Sequence, residues 1–227
     1  MNNKLICGID EVGRGSLAGP VVSSAVILPE GHNIEGLRDS KKLSPKKRNE
    51  LFEEITDIGV IGVGIVSSRE IDRINILQAT YVSMKKAYDQ LKIVPEKILV
   101  DGFAIPSKRI KSEGIIKGDE KVQEICAASI VAKVIRDKFM ILVDPVFPNF
   151  GFKKNKGYGT KLHMEALKRY RPTLIHRISF APVKNNLPDE SVLNSVRYKN
   201  ILIKQKKSLK NINNDIKNWL SLKNLIY

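Results

Sequence analysis

Apolar residues recur in blocks along the whole 227-residue chain, and their spacing predicts an alternation of strands and helices. Leu5 to Ile9 is short and apolar, as a buried strand is, and Gly13, Gly15, Gly19 and Pro20 then interrupt it with a turn. Val21 to Leu28 (VVSSAVIL), β-branched and partly alternating, predicts a second strand. Ser44-Pro45 marks a helix start, because a hydroxyl cap is followed by a proline whose missing N–H costs nothing in the first turn. Leu51, Phe52 and Ile55 give that helix an apolar face. Ile58 to Val66 (IGVIGVGIV) predicts a third strand weakened by its glycines. Ile74, Leu77, Tyr81, Met84, Tyr88 and Leu91 step by three or four throughout, which predicts one sustained helix whose aromatics belong to a core. Lys97 to Val100 is a strand running into Asp101-Gly102, Gly114 to Lys117 a short fifth strand, and residues 120–142 a long helix.

After Pro145 the texture changes to a Pro/Phe/Asn/Gly/Lys loop over 145–159, then a helix from about Lys161 to Tyr170, with breaks at Pro172 and Pro182. Residues 184–227 are rich in Lys and Asn with scattered Leu and Ile, and both a helical appendage and a partly ordered basic tail remain open. Strands alternating with helices imply an α/β layered fold. The expected division is a catalytic core over 1–144, a substrate-contacting helical region over 145–187 and a basic tail over 188–227.

Composition narrows the class. The chain is 42% hydrophobic and 28% charged, ordinary for a globular protein and unlike a disordered one. Its net charge of +15 favours a polyanionic partner, because cations that neutralise phosphates release condensed counterions. A lysine-rich proteome is the bland alternative. The tail from 184 holds +6 of that charge, so the body is basic as well. Cys7 and Cys126 lie in no CxxC or Cys/His cluster and read as small buried hydrophobes. The opening MNNKLICGID lacks the apolar run of a signal peptide, and no stretch approaches the ~18 apolar residues of a membrane span. A cytoplasmic protein with no membrane partner is expected.

Four acids stand out by position. Asp10-Glu11 ends the first strand, Asp101 ends KILV, and Asp119 follows the short strand before the long helix. In an α/β sheet, groups at strand ends converge on one edge, where carboxylates repel one another unless protons or cations intervene. Hard oxygen ligands suit Mg²⁺ or Mn²⁺, and with only His32, His163 and His176 present a histidine-built metal site is not expected. Two cations about 4 Å apart could bind both the attacking water and the leaving oxygen of a phosphodiester. Acids in such places also serve as turn residues or helix caps, as Asp119 could. Adjacent strand residues face opposite ways, so Asp10 and Glu11 cannot both ligate by side chain from a regular strand.

The run from Gly8 to Val22 (GIDEVGRGSLAGPVV) closely resembles the opening motif of the type 2 ribonucleases H, the ribonuclease HII family. Further segments resemble that family in order: Asp39-Ser-Lys-Lys-Leu43, Val100-Asp101-Gly102, Gly118-Asp119 with Ala127 to Val134 and Arg136-Asp137, Gly157-Tyr-Gly-Thr160 with His163, and His176 to Pro182. The resemblance covers roughly residues 4–184. Ser16 stands where proline is common and Cys126 where alanine is frequent, and the tail beyond about Asn185 matches no family pattern. With the motif beginning within ten residues of Met1, the extra N-terminal domain of the type 3 relatives is not expected.

The resemblance implies a ribonuclease H-like mixed five-stranded sheet flanked by helices, with a small C-terminal helical region. It implies metal ligation and catalysis by Asp10, Glu11, Asp101 and Asp119, with two Mg²⁺ or Mn²⁺ ions in the active complex. It also implies that Gly13-Arg14-Gly15 reads the ribose 2′-hydroxyl, which suits glycine because close backbone approach is needed and that hydroxyl alone separates RNA from DNA. Tyr158 is the implied junction sensor, stacked on the deoxyribose 3′ to the cut. Lys41, Lys42, Lys133 and Arg177 are phosphate neighbours in this reading, each equally readable as a solvated charge. The implied reaction is hydrolysis 5′ to a ribonucleotide in an RNA–DNA hybrid or in duplex DNA containing single ribonucleotides, by a monomer, leaving 5′-phosphate and 3′-hydroxyl ends. A DNA-directed nuclease of the same superfold, or a non-catalytic hybrid-binding protein, are the rival readings.

Overall fold

A computed structural model describes residues 5–37, 43–223 and 225. Five strands form one sheet: β1 (Ile6–Val12), β2 (Val21–Ile27), β3 (Val60–Val66), β4 (Lys97–Asp101) and β5 (Glu113–Ile115). Their order is β3-β2-β1-β4-β5. β1 runs antiparallel to β2 and β2 to β3, whereas β4 and β5 are parallel to β1 and to each other. The helices are α1 (Pro45–Ile58), α2 (Ser68–Ile74), α3 (Ile76–Asp89), α4 (Gly118–Lys121), α5 (Gln123–Val143), α6 (Phe152–Asn155), α7 (Lys161–Tyr170), α8 (Ala181–Lys184), α9 (Glu190–Asn194) and α10 (Val196–Leu222). The mixed sheet with helical flanks and C-terminal helices is the architecture expected above.

Period-two alternation assigns the two faces of the sheet. On β2, Ser24 Oγ donates to the Ala128 carbonyl of α5 at 2.6 Å, while Ser23 Oγ meets Ser83 Oγ of α3 at 2.6 Å. Val22 and Val26 therefore pack with α5 and α1, and Ala25 and Ile27 pack with α3. Both faces are covered, which is why all of β2 is buried. Glycine permits the closest approaches. A Cβ at Gly8 would sit 2.1 Å from the Glu124 carbonyl carbon, so the start of α5 lies directly over β1. A Cβ at Gly62 or Gly64 would fall 2.0 Å from the Ala87 oxygen or 1.9 Å from the Ser83 oxygen of α3. The glycines that weaken β3 as an isolated strand are what let α3 rest on it.

Several boundaries differ from expectation. The Ile74–Leu91 run is two helices, because Asn75 sits at φ 65 between them and its side chain caps α3 through the Gln78 N–H. The helix expected over 120–142 is broken at Val122, which is extended, so α4 is a separate turn. β1 continues three residues beyond Ile9, and β5 ends at Ile115 rather than Lys117. The tail contains a 27-residue helix, α10, whose Ile212, Ile216 and Leu220 join the α5–α1 core. Trp219 stacks on Phe52 at 5.7 Å, and Lys223 pairs with Glu53.

Gly64→Ala is expected to lower stability by about 3 kcal/mol, since the backbone of α3 must retreat from an overpacked contact. Urea denaturation at constant m-value checks this, and a change within error would show that α3 has room to move.

Candidate active site

The acids converge where the parallel strands run out. β1 pairs with β4 as far as Ile9↔Val100 but continues along β2 to Val12↔Val22. Ile9 and Val100 point into the α3-side core, so alternation turns Asp10 and Asp101 toward α5. Glu11 starts toward the opposite face, as the sequence requires. It lies past the last β1–β4 pair, however, and its side chain reaches the same cavity. Asp10, Glu11, Asp101 and Asp119 all line this space of about 330 Å³, together with Lys133, Tyr158, Arg48 and Ser129.

Local bonds hold each acid. Asp10 Oδ1 accepts from the Glu11 N–H at 2.7 Å, and the Ser129 side chain also bonds the Asp10 carboxylate. Asp101 Oδ1 accepts from the Gly118 N–H at 2.7 Å, which ties β4 to α4 and brings the buried Asp119 into the site. Glu11 Oε1 accepts from Arg14 Nη1 at 3.3 Å. Burial pushes the Asp10 carboxyl well above the ordinary carboxylate range, and the charges of Glu11 and Asp101 push it further. Glu11 is also raised, mainly by burial, with Arg14 opposing and the Asp101 charge adding to the rise.

Among the described residues, no three His, Cys, Asp or Glu side chains stand as a ready-made metal cage. The donor set nevertheless fits a hard divalent cation. It consists of carboxylate oxygens, and the ionised forms of Asp10 and Glu11 are disfavoured by burial and mutual repulsion, a penalty that a cation among them relieves.

Beside the acids lies the turn Gly13-Arg14-Gly15. Gly13 adopts φ +97, and a Cβ there would meet Arg136 Nε at 2.2 Å, so the position requires glycine twice over. Arg177, readable from the sequence as a phosphate neighbour or a solvated charge, lies beneath this turn. Its side chain is fully buried, and its guanidinium donates to the carbonyls of Gly13 at 2.7 Å, Arg14 at 2.8 Å and Gly19 at 3.1 Å. Arg136 does the same from α5, donating to Pro20 and Lys156 at 2.9 Å and to Ala18 at 3.1 Å. In a trans peptide the carbonyl and the next N–H point in opposite directions. Drawing the Gly13 and Arg14 carbonyls inward therefore directs the N–H groups of Arg14 and Gly15 away from Arg177. Burial, then the neighbouring Arg136 charge, lowers Arg177 to about 9.

Tyr158 lines the acid cavity with its ring 5.5 Å from the Arg136 guanidinium carbon. Its carbonyl accepts from His163 Nδ1 at 2.9 Å; His163 Nε2 lies 2.9 Å from His176 Nε2; His176 Nδ1 accepts from the Thr173 N–H at 2.9 Å. The two ends decide the protons. A carbonyl only accepts, so His163 Nδ1 carries a hydrogen, and a backbone N–H only donates, so His176 Nδ1 is bare. His176 Nε2–H therefore donates to His163 Nε2, and both rings are neutral. Lys133 lines the cavity while bonding Asp137 at 2.9 Å. Lys41 and Lys42 lie outside the described residues.

Sequence reasoning did not single out Arg48, and it quoted Arg136 and the stretch holding Ser129 only as family-like segments, with no role for either. For the latter two a signal existed: Ser129, Lys133 and Arg136 are polar at spacings of four and three within an Ala/Ile/Val-rich helix, hence on one face. Arg48 precedes Leu51, Phe52 and Ile55 by three, four and seven residues, so it shares the apolar face of α1, a spacing that could have found it.

Residues 7–183 match the family described as Ribonuclease HII. A Ribonuclease HII of Caldicellulosiruptor bescii is 51% identical over 178 residues, covering 78% of this chain and 86% of its own. One from Clostridioides difficile is 54% identical over 176 residues, covering 77% and 69%. Among solved structures, the ribonuclease H2 from Pyrococcus horikoshii OT3 superposes with a TM-score of 0.66 at 30% identity, covering 80% of this chain and 96% of its own.

The histidine pair makes stability sensitive to acid. Burial, then the neighbouring His163, lowers His176 from 6.5 to about 3. As pH falls below about 6.5 the unfolded chain takes up a proton that folded His176 refuses, so the stability present above that pH is lost progressively toward about 3. Relative to His176→Gln, the wild type should lose up to about 1.4 kcal/mol more per pH unit across that window. Urea midpoints between pH 7 and pH 4.5 measure this, and parallel curves for the two proteins would contradict it.

Proposed function

The chain belongs to the ribonuclease HII family and is a metal-dependent endoribonuclease, and from that premise we propose that it hydrolyses the phosphodiester 5′ to a ribonucleotide. The substrates in this reading are the RNA strand of RNA–DNA hybrids and single ribonucleotides embedded in duplex DNA. The ends left are 5′-phosphate and 3′-hydroxyl. The observation that carries the reading is one cavity lined by four acids from three separate stretches of chain, set beside a glycine turn whose carbonyls are drawn onto Arg177. The net charge of +15 supports a nucleic-acid substrate.

Asp10, Glu11, Asp101 and Asp119 would hold two Mg²⁺ or Mn²⁺ ions. Bound there, such ions supply Lewis acidity to the attacking water and to the leaving 3′ oxygen. The chain's own groups do the selecting. The N–H groups of Arg14 and Gly15 meet the 2′-hydroxyl at a fixed position because Arg177 holds their peptide planes. Tyr158, half-exposed at the cavity wall, packs on the sugar 3′ to the cut and favours deoxyribose. Lys133, at the cavity wall, neighbours the scissile phosphate, as Lys41 and Lys42 do in this reading. In this reading the protein acts as a monomer in the cytoplasm.

Labelled duplex carrying one ribonucleotide, incubated with Mg²⁺, Mn²⁺ or EDTA, tests the whole reading. Cleavage 5′ to the ribonucleotide with either metal and none in EDTA is expected, whereas cutting of an all-DNA duplex would favour a DNA-directed nuclease. Asp10→Asn and Asp101→Asn should each fold normally by circular dichroism yet cleave at least ~10³-fold more slowly. Near-normal rates in both would remove the proposed site. Tyr158→Ala should weaken cleavage at a single ribonucleotide about tenfold more than on long hybrids, and an equal loss on both would contradict a sensing role.

A further inference from the structure

We infer that His163 and His176 are positioning residues for Tyr158, holding its backbone so that the ring selects substrates with deoxyribose 3′ to the cut. This rests on the sensing role given to Tyr158 above. Tyr158 stands in a stretch with little regular structure of its own. Lys156 and Gly157 both adopt positive φ, at 51 and 83, and α7 starts only at Lys161. Its carbonyl is held from two directions, by the Thr160 N–H at 2.8 Å and by His163 Nδ1 at 2.9 Å. Of these two donors, only the imidazole links the loop to a distant part of the chain.

That link continues through His176 to Thr173 in a single donor direction, as the tautomers require. The segment receiving it also serves the 2′-hydroxyl reader. Gly19 N–H donates to the Ile175 carbonyl, Arg177 N–H to that of Leu17, and the Arg177 guanidinium to those of Gly13 and Arg14. The circuit closes where the Leu17 N–H donates to the Gly157 carbonyl at 2.8 Å. The two elements proposed to read adjacent sugars, Gly13–Gly15 and Tyr158, are thus registered through buried polar bonds. Both imidazoles are enclosed by aromatic rings, with Phe152 5.3 Å from His163 and Phe150 4.9 Å from His176. Apolar side chains would fill that space with no polar group to satisfy. A directional pair there admits one arrangement of the loop, which packing alone does not.

The test compares kcat/KM for a duplex with a single ribonucleotide against a long hybrid, for wild type and three His163 variants. His163→Leu removes the bond to Tyr158, His163→Asn keeps an amide N–H where Nδ1–H stands, and His163→Gln moves it to the Nε2 position. Leu and Gln should lower the ratio about fivefold, the effect of one lost hydrogen bond, and Asn should restore it. The same order is expected in the ratio of binding affinities measured by fluorescence anisotropy in EDTA. In a Tyr158→Ala background, His163→Gln should lower the ratio no further, because the two changes act through one group. A lowered melting temperature with an unchanged ratio in all His163 variants overturns the proposal, as does a full additional loss in the double variant. If His163→Leu does not fold, Asn against Gln decides, equal ratios counting against the proposal. If Tyr158→Ala itself leaves the ratio unchanged, the sensing role fails first; if it lowers the ratio and the His163 variants do not, only the positioning role is lost.

Discussion

Two guanidinium groups buried beneath the turn after β1 hold together the chain beside the acid cavity. Arg136 arrives from α5 and Arg177 from the segment before α8; both donate to backbone carbonyls between Gly13 and Pro20, and Arg136 also to that of Lys156. Burial of two like charges is costly and lowers the pKa of each, and carbonyl dipoles offset that cost without cancelling the charge. The turn therefore keeps its shape only while α5 and the C-terminal segment are docked. A loop that would otherwise be free to sample several conformations is held by elements more than a hundred residues away.

The same arrangement sets opposite charges side by side. Carboxylates crowd the ends of β1 and β4, where burial and mutual repulsion disfavour their ionised forms, and cationic groups lie under the neighbouring turn. A metal-dependent nuclease needs both: acids that gain from divalent cations, and a rigid backbone surface that meets an anionic strand. Stability is given up at the acids and recovered in the packed layers of α5 and α3 on the sheet, a division common at functional sites.

How much of this was legible depended on the kind of residue. Asp10, Asp101 and Asp119 were recognisable because a carboxylate at a strand end is a local feature, and the motifs around them resemble one family. Glu11 was ambiguous, since strand alternation sends it the wrong way. Only the unequal lengths of the β1–β2 and β1–β4 ladders show how it reaches the cavity. The burial of Arg177 was not legible: its local sequence holds no hint that Leu17 and Gly13 will close over it. The glycines of β3 signalled weakness by local propensity, and their purpose is visible only once α3 lies on them.

By itself, the sequence determined the succession of strands and helices, the helix cap at Ser44, the acids available for chemistry and the basic balance of the chain. These follow from periodicity, capping and charge, which act between residues close along the backbone. Tertiary structure alone decided that Arg177 is a buried brace, that two histidines form a neutral relay to Tyr158, and that α10 docks Trp219 on Phe52. Each depends on desolvation and on partners distant in the chain. Whether a polar group meets water or a carbonyl is settled by which segments pack above it.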